Sequence, residues 1–228
     1  MIKIEKKNKK VIIFDLDGTL IDSVPDLTRS LNEMLEQFSG VKYDDSTVHS
    51  WLGNGAQTLV KRALLGKVDV EEESIDSSLF EAALALFLKR YSANVCEDTR
   101  LYPHVVESLE KLSDKGYKMA IVTNKPIAFV SPILEKLEIA SYFEALLGGD
   151  SLSKKKPDPA PLLYICEKFS ITPQEAVMVG DSKNDIEAAK HAKMDSIAVS
   201  YGYNYGENIE NYMPNVVISD FKEIVEYL

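Results

Sequence analysis

Two aspartates, Asp15 and Asp17, follow a short apolar run, "VIIF" at 11–14, near the start of the chain. A run of this kind is typical of a buried strand, which leaves two carboxylates one residue apart at its end. Neighbouring carboxylates repel each other there, so something must compensate for the repulsion. A divalent cation is the first candidate, because Mg²⁺ prefers oxygen ligands and often binds together with substrate phosphates.

Other polar side chains also follow short apolar runs. Thr123 and Asn124 come directly after "KMAIV", and Asp181 follows "AVMVG". In open parallel sheets, ligands bind beyond the carboxyl ends of the strands, so we expect these side chains to converge. Lys156 precedes Pro157, which favours an extended backbone that would aim its ammonium at the same place. The predicted group suits Mg²⁺ and a phosphate, and it comprises Asp15, Asp17, Thr123, Asn124, Lys156, Asp181 and Asp185.

The segments that would position these residues alternate between apolar runs and helical periodicity. The apolar runs lie at 11–14, 118–122, 144–150, 176–179, 196–200 and 216–219. Segments with helical spacing lie between them, at 104–116, 127–138, 159–169 and 183–193. Short β-branched runs separated by helices are typical of buried parallel strands. The alternation predicts an α/β fold, a doubly wound, Rossmann-like parallel sheet with helices on both faces.

The second convincing strand does not begin until residue 118, although a βαβ unit needs only about 30 residues. The surplus is helical, because "DLTRSLNEMLEQF" and "SSLFEAALALFLKRY" carry apolar residues at helical spacing. The sequence therefore predicts a small helical cap domain at 22–96, inserted into a core formed by 1–21 and 97–228. A segment of that size buries little surface alone, so it should pack on the sheet.

Composition limits the partners of the protein. A formal net charge of −10 disfavours nucleic acid, and the apolar runs are too short for a membrane span or a signal-peptide core. Cys96 and Cys166 lack metal-site spacing and are expected to be reduced, so we predict a cytoplasmic protein. A basic cluster near the start is interpreted as a solvated flank; its members are Lys3, Lys6, Lys7, Lys9 and Lys10.

The motifs together resemble those of a known family. "DLDGT" at 15–19, "TN" at 123–124, "KPDP" at 156–159 and "GDSKND" at 180–185 are similar, in this order, to the four motifs of haloacid dehalogenase superfamily phosphatases. The predicted helical domain stands where the first type of cap of that superfamily stands. Two further stretches, "WLGNGAQTLVKRAL" at 51–64 and "YGYNYGENI" at 201–209, resemble those of bacterial phosphoglycolate phosphatases. The resemblance covers nearly the whole chain after the lysine-rich start.

The resemblance implies a reaction through an aspartyl-phosphate. Asp15 would be the nucleophile, a role that carboxylates can take. Asp17 would protonate the leaving alkoxide and later accept a proton from the attacking water. Thr123 and Lys156 would complete the catalytic group, although a strand-end "TN" taken alone is more typical of a turn or a helix cap.

The same resemblance implies the metal and substrate contacts. Mg²⁺ would be bound by Asp15, Asp17 and Asp181, with Asp185 in a second layer; the family counterpart of Asp17 offers a backbone carbonyl. The glycines of "GNG" at 53–55 permit close approach of a small ligand, so Asn54 is a candidate contact for the non-phosphate end of the substrate. The implied substrate contacts are Gly18, Thr19, Asn54, Thr123, Asn124 and Lys156.

Several other residues are interpreted as structural. Lys61 and Arg62 are candidate partners for a carboxylate, but long basic side chains on a helix surface are usually solvated. Trp51 is expected in the core of the cap, and the tyrosines of "YGYNYG" are expected to pack on neighbouring helices. His104 stands where many relatives carry the glycine of Tyr-Pro-Gly-Val, and we expect it to begin a helix.

The substrate that the resemblance implies is 2-phosphoglycolate, a small phosphorylated metabolite, which would be hydrolysed to glycolate and phosphate. A phosphatase for pyrophosphate or a sugar phosphate is the nearest alternative, because cap loops change specificity with few substitutions. A β-phosphoglucomutase-like phosphomutase usually carries a different residue after "DLDG", and a dehalogenase would lack Asp17. A binding protein without catalysis is a further class, although every catalytic residue type is present. Both a monomer and a homodimer are compatible with the sequence.

Overall fold

The computed structural model describes residues 4, 8–70 and 74–228, and its main feature is a six-stranded parallel sheet with helices on both faces. In chain order the elements are β1 (Val11–Phe14), β2 (Ile21–Asp22), α1 (Val24–Phe38), α2 (Asp45–His49), α3 (Ala56–Leu65), α4 (Ser77–Ala93), β3 (Arg100–Leu101), α5 (Val105–Asp114), β4 (Lys118–Val122), α6 (Ile127–Lys136), β5 (Ala145–Leu147), α7 (Ala160–Phe169), β6 (Ala176–Gly180), α8 (Lys183–Ala192), β7 (Asp195–Val199), β8 (Val216–Ile218) and α9 (Ile224–Tyr227). The predicted doubly wound α/β fold is confirmed.

The strand order, β5-β4-β1-β6-β7-β8, places β1 near the centre of the sheet. From β1 the chain runs outwards through β4 and β5 on one side, and then through β6, β7 and β8 on the other. Phe14, the last residue of β1, is in register with Ile121 of β4 and Val179 of β6. The residues that follow these three strands therefore meet at one edge, the switch point where open α/β sheets bind ligands.

The apolar run of β1 forms a strand buried on both faces. Ile12 and Phe14 pack into one apolar cluster, whereas Val11 and Ile13 pack into another on the opposite face. This alternation follows from the two-residue period of a strand. Because the strand is covered on both faces, all of its residues are apolar in the sequence. All four side chains are completely buried, so the strand gives a rigid base for the residues after it.

Residues 24–93 contain the helices α1–α4, here called the helical insertion, which leaves the sheet after β2 and returns at β3. β2 and β3 pair in antiparallel fashion, with Ile21 opposite Leu101, so the entry and exit of the insertion lie side by side. Trp51 is only 3% exposed and belongs to the same apolar cluster as Phe14 of the sheet, as expected of a core residue. The cluster continues from the sheet into the insertion.

The lysine-rich start is only partly a solvated flank. Lys9 is buried, and its Nζ donates to the carbonyls of Gln174 (2.7 Å) and Ala176 (3.0 Å) and lies 2.7 Å from Asp195 Oδ2. The interpretation of Lys9 as solvated was therefore wrong, because carbonyls at the start of β6 and a carboxylate of β7 surround its ammonium. Lys10 is exposed, as expected of a solvated flank, and its ammonium pairs with Glu175. The remaining members, Lys3, Lys6 and Lys7, lie outside the described residues.

His104 begins α5, as expected, and adopts a left-handed backbone with φ of +63°. Positive φ is uncommon in residues other than glycine, so His104 occupies the conformation that a glycine would take at this place. Its Nδ1 lies 2.8 Å from Asp220 Oδ1. The substitution therefore keeps the turn and adds a contact between the start of α5 and the C-terminal segment.

The described part of the chain contains no helix long and apolar enough to cross a membrane. Cys96 and Cys166 are buried and unpaired, as predicted for reduced cysteines.

A buried carboxylate fixes the end of the helical insertion to its start. Asp26 in α1 is fully buried and accepts hydrogen bonds from the backbone N–H of Asp98 (3.0 Å) and of Thr99 (2.9 Å), and from the Thr99 hydroxyl (2.6 Å). The Arg29 guanidinium also contacts it. Burial alone would raise the pKa of Asp26, but these hydrogen bonds lower the pKa below its ordinary value.

The substitution Asp26→Asn is expected to lower the free energy of unfolding at pH 7 by about 1–3 kcal/mol, because buried N–H donors lose a charged acceptor. The difference from wild type should shrink as the pH falls. The lowered pKa of Asp26 means that its stabilisation is complete above about pH 4 and is lost as the pH falls through the native pKa. Urea unfolding between pH 3 and pH 7 measures both effects.

Asp114→Asn is the matched control, because Asp114 is exposed at the end of α5. A loss of stability for Asp26→Asn that equals that of the control, or that stays constant with pH, would contradict the structural role of Asp26.

Candidate active site

Asp15 lies at the carboxyl end of β1 and is 8% exposed. Its Oδ1 accepts a hydrogen bond from the backbone N–H of Leu16 (2.7 Å) and lies 3.0 Å from Nζ of Lys156. Burial raises the pKa of Asp15 to about 7; the Lys156 ammonium opposes this shift, and the Asp185 carboxylate adds to it. The strand and these two contacts therefore hold a desolvated carboxylate in one orientation.

Asp181 directly follows β6 and is 2% exposed. The Thr19 hydroxyl donates to its Oδ1 (2.7 Å), and the backbone N–H of Tyr203 donates to its Oδ2 (2.6 Å). Gly18 has a φ of +84°, and a Cβ at this position would lie 2.3 Å from Asp181 Oδ2, so only glycine fits. The Thr19 side chain is fully buried and positions Asp181, and its predicted contact with the substrate stays a prediction.

Tyr203 connects this carboxylate to the start of the helical insertion. Its side chain is 1% exposed, and its hydroxyl donates to Asp22 Oδ1 (2.7 Å) and accepts from the backbone N–H of Ser23 (3.0 Å). The tyrosine was expected to pack on a neighbouring helix. It does contact the segment that leads into α1, but through hydrogen bonds as well as packing.

Lys156 is 2% exposed and places its ammonium between two carboxylates. Its Nζ lies 3.0 Å from Asp15 Oδ1 and donates to Asp185 Oδ1 (2.6 Å). The other oxygen of Asp185 accepts from the backbone N–H (3.0 Å) and hydroxyl (2.8 Å) of Ser182, which forms a capping box at the start of α8. Burial alone would lower the pKa of Lys156, but the two carboxylates raise it above its ordinary value.

Carboxylate oxygens of Asp15, Asp181 and Asp185 lie within 4.8 Å of one another, and all three residues are buried. Burial, with added repulsion from Asp185 and Asp15, raises the pKa of Asp181 well above its ordinary value. One ammonium, that of Lys156, contacts two of the three carboxylates. A buried, oxygen-only group with excess negative charge fits a small divalent cation.

The side chain of Asp17 points away from this group. Its Oδ1 accepts from the Ser23 hydroxyl (2.5 Å) and from Nζ of Lys125 (2.9 Å), and its Oδ2 lies 3.2 Å from the same Nζ. Among the described residues, the carboxylates of Asp15, Asp181 and Asp185 cluster together, and that of Asp17 lies outside the cluster. Any contact of Asp17 with a cation in the group would therefore use its backbone.

Thr123 and Asn124 follow β4 and lie beside the acidic group. The Thr123 hydroxyl accepts a hydrogen bond from the backbone N–H of Lys125 (3.2 Å). The amide of Asn124 donates to the carbonyls of Gly53 and Lys156, at 3.0 Å each. Asn124 Oδ1 is buried without a hydrogen-bond partner among the described residues, so an acceptor remains there.

A small cavity of about 50 Å³ lies between these strand ends and the helical insertion. Asp15, Asp17 and Thr123 line it on the sheet side, and Leu27 and Phe87 are among the apolar residues that line it on the other. Since a cavity of about 10–15 Å³ holds one water, this space suits a ligand of a few heavy atoms.

The insertion contacts the sheet edge through the "GNG" loop. The Gly53 carbonyl accepts from Asn124 Nδ2 (3.0 Å) and Asn184 Nδ2 (3.1 Å), and the Asn54 carbonyl accepts from Lys155 Nζ (2.8 Å). Asn54 was predicted to contact the substrate; the residues beside it, Gly53 and Gly55, line the cavity. The loop therefore closes the cavity with its backbone.

Arg62 was predicted to be solvated, and this was wrong. It is 8% exposed, and its Nε donates to the Val68 carbonyl (2.7 Å). Its guanidinium lies 5.3 Å from the centre of the Tyr205 ring, in the loop after β7. Lys61 is half-buried, and its ammonium contacts the Val70 carbonyl. Both residues thus support the backbone of the insertion.

Sequence reasoning missed Lys125 and Tyr91. Lys125 directly follows Thr123 and Asn124, so the rule that polar residues after a strand meet at the site would have included it. Tyr91 lies on the buried face of α4, where its helical spacing indicates only core packing. Nζ of Lys125 lies 4.7 Å from the centre of the Tyr91 ring. This contact depends on how the insertion sits on the sheet, which no local pattern encodes.

Comparison with known proteins agrees with this geometry. A family model described as haloacid dehalogenase-like hydrolase matches residues 12–199. The phosphoglycolate phosphatase of Psychrobacter arcticus is 47% identical over 221 residues, which cover 97% of this chain and 96% of the relative. That of Colwellia psychrerythraea is 45% identical over 219 residues, covering 96% of each chain.

A solved structure is also similar over nearly the full length. The crystal structure of a predicted phosphoglycolate phosphatase from Haemophilus somnus superposes with a TM-score of 0.90 at 41% sequence identity. The match covers 96% of this chain and 97% of that one. The similarity therefore includes the helical insertion as well as the sheet.

The substitution Gly53→Ala is expected to lower the free energy of unfolding by about 2–4 kcal/mol. Gly53 has a φ of +110°, and a Cβ there would lie 2.4 Å from the Tyr205 hydroxyl oxygen, so the loop or the tyrosine must shift. Either shift disturbs the hydrogen bonds that Asn184 donates to the Gly53 carbonyl and to the Tyr205 hydroxyl. Strain at positive φ alone costs about 1–2 kcal/mol. Urea unfolding measures the difference.

Gly40→Ala is the matched control, because Gly40 also has a positive φ, +69°, but nothing lies within 4 Å of a Cβ at that position. Equal losses for the two variants would mean that backbone strain alone is responsible, and that the contact between Gly53 and the sheet edge adds nothing.

Proposed function

The chain belongs to the haloacid dehalogenase-like hydrolase family and is a phosphatase, and we propose that it hydrolyses 2-phosphoglycolate to glycolate and phosphate. The observation that carries the proposal is the Asp15 carboxylate, which lines a small cavity closed by the helical insertion and lies 3.0 Å from a buried lysine. Relatives named phosphoglycolate phosphatase, with 44–47% identity over nearly the whole chain, support this choice of substrate.

In the proposed reaction, an oxygen of Asp15 attacks phosphorus as the bond from phosphorus to the ester oxygen breaks. This gives an aspartyl-phosphate and an alkoxide, which takes a proton from Asp17. Water then attacks the aspartyl-phosphate at phosphorus, and Asp17 accepts its proton. The second step releases phosphate and restores Asp15. Phosphoryl transfer needs mainly positioning and charge stabilisation, which a buried and pre-oriented group supplies.

Lys156 and Thr123 would stabilise the phosphoryl group. The Lys156 ammonium contacts Asp15 directly, so it lies beside the phosphorus that Asp15 attacks. Asp185 would position this ammonium rather than react, because its two oxygens are occupied by Lys156 and Ser182. The Thr123 hydroxyl would donate to a phosphate oxygen. Gly18 and Asn124 were also predicted to contact the substrate. The Gly18 N–H, however, donates to the Ile21 carbonyl (2.8 Å), and the Asn124 amide donates to the carbonyls of Gly53 and Lys156.

The proposed cofactor is Mg²⁺, bound by carboxylates of Asp15 and Asp181 and by the backbone carbonyl of Asp17, with Asp185 in a second layer. Their burial, mutual repulsion and oxygen-only chemistry support this choice. When bound, the ion would neutralise negative charge on the phosphoryl group and on the carboxylates. Thr19 and Tyr203 would keep Asp181 in position for it.

The size of the cavity favours a small substrate over a sugar phosphate. A space of about 50 Å³ accommodates a two-carbon acid more readily than a hexose ring. Pyrophosphate is also small, so the size of the cavity does not separate it from 2-phosphoglycolate. The relatives named phosphoglycolate phosphatase favour the carbon-containing substrate.

Phosphate release from 2-phosphoglycolate, pyrophosphate and glucose 6-phosphate tests the proposal. We expect the highest kcat/KM for 2-phosphoglycolate, and loss of activity when EDTA removes the metal. Asp15→Asn should lower kcat by about 10³-fold or more, because the amide cannot form the aspartyl-phosphate. The exposed Asp114→Asn variant is the control and should retain full activity.

A higher kcat/KM for one of the other two phosphates would retain the reaction and overturn the substrate. Undiminished activity of Asp15→Asn would overturn the aspartyl-phosphate mechanism.

Binding of Mg²⁺ should also be visible without turnover. At a Mg²⁺ concentration of about 100 times Kd, the native state gains about 2.7 kcal/mol, which raises the melting temperature by several degrees. Asp181→Asn should abolish this rise, because Asp181 contributes a ligand in the proposed site. Differential scanning calorimetry with and without Mg²⁺ measures both proteins, and an equal rise in the two would contradict the assignment of Asp181.

A further inference from the structure

Lys125 is a buried cation on the wall of the cavity, and the reaction proposed above gives it no task. Its side chain is 4% exposed, and its Nζ lies 2.9 and 3.2 Å from the two oxygens of Asp17. A buried ammonium of this kind needs a carboxylate partner, and Asp17 provides it. An ammonium has three N–H donors, and Asp17 does not require all of them.

Tyr91 faces the same ammonium from the helical insertion. Nζ of Lys125 lies 4.7 Å from the centre of the Tyr91 ring, close enough for a cation–π contact. The tyrosine is 1% exposed, and its hydroxyl makes no hydrogen bond of ordinary geometry with the described residues. Burial raises the pKa of Tyr91 to about 12, so the hydroxyl keeps its proton and remains a donor.

The rest of this wall is apolar. Leu27, Phe87 and Phe129 line the cavity together with Lys125 and Tyr91. Water is scarce in such a place, and a charged hydrogen bond is stronger there than in bulk solvent. A buried hydroxyl without a partner is costly, so a ligand that accepts its proton would recover that cost.

We infer that Lys125 and Tyr91 bind the carboxylate of the substrate while its phosphoryl group lies at Asp15. The inference rests on the proposed function, since it assigns the non-phosphate end of 2-phosphoglycolate. Lys125 supplies the positive charge and Tyr91 a hydroxyl donor, which together suit the two oxygens of a carboxylate. The pair comes from the sheet and from the insertion, so an acidic substrate would also hold the two parts together.

This assignment explains why the cavity would prefer an acid over a neutral ester of the same size. A carboxylate gains a charge-assisted hydrogen bond from Lys125 and a second one from Tyr91. A methyl group in its place offers no acceptor to the Lys125 ammonium or to the Tyr91 hydroxyl. Lys125 and Tyr91 thus act as specificity-determining residues, distinct from the groups that contact the phosphate.

The test compares 2-phosphoglycolate with ethyl phosphate, in which a methyl group replaces the carboxylate, as substrates of wild type, Lys125→Met and Tyr91→Phe. The measured quantity is the ratio of kcat/KM for the two esters. We expect each variant to lower this ratio by about 10- to 100-fold, mainly through KM for 2-phosphoglycolate. Tyr43→Phe is the control, because this tyrosine of the insertion packs against Trp51 and does not line the cavity; its ratio should equal that of wild type.

The ratio separates the inference from a role of Lys125 through Asp17. If Lys125 only holds Asp17, Lys125→Met slows both esters by the same factor and the ratio stays constant, which would overturn the inference. Tyr91→Phe makes the same distinction with less disturbance, because it removes one hydroxyl and leaves the lysine and Asp17 in place. A wild-type enzyme with no preference for 2-phosphoglycolate would instead refute the proposed function itself.

Binding provides a second readout that does not depend on turnover. In 3-phosphonopropionate a methylene replaces the ester oxygen of 2-phosphoglycolate, and propylphosphonate is its counterpart without the carboxylate. Titration calorimetry in the presence of Mg²⁺ should show that wild type binds 3-phosphonopropionate about 10- to 100-fold more tightly. Both variants should lose most of this difference, and its full retention in Lys125→Met and Tyr91→Phe would overturn the inference.

Discussion

Three buried carboxylates lie together at one edge of the sheet, and among the described residues Lys156 is the cation that pairs with them. This excess of negative charge is the constraint on which the rest of the structure depends. Asp15, Asp181 and Asp185 repel one another where water is scarce, so each must be held by other groups. Lys156 lies between two of them, and the remaining support comes from hydroxyl and backbone N–H donors on three different loops. A site with this uncompensated negative charge is suited to a divalent cation, and the bound cation would in turn attract a phosphate.

The fold and the centre of this site follow from the sequence, because both depend on a topological rule. Short apolar runs that end in polar residues become neighbouring parallel strands, and their ends must meet. Asp15, Asp181 and Lys156 were identified in this way and do lie together. The positions of the six strands agree with the predicted runs to within a few residues, since each run is too apolar to lie anywhere but in the core.

The residues that sequence reasoning misjudged are long basic side chains. Lys9 and Arg62 were predicted to be solvated, but both are buried and donate to backbone carbonyls. Lys125 was overlooked; it is buried as well, and its ammonium pairs with the Asp17 carboxylate. A lysine or arginine can extend its charge several ångströms from its backbone, so local sequence does not determine where the charge lies. Its partners come from segments far away in the chain, and only the folded structure brings them into reach.

The antiparallel pair of β2 and β3 places the two ends of the helical insertion next to each other. The insertion is therefore a loop whose two ends are held together at the sheet, whatever the number and length of the helices within it. The length of the inserted helices therefore does not affect the position of the strands that carry the reacting carboxylates. The strands that carry the reacting carboxylates and the helices that close the cavity are thus separate parts of the polypeptide, connected through the paired strands β2 and β3.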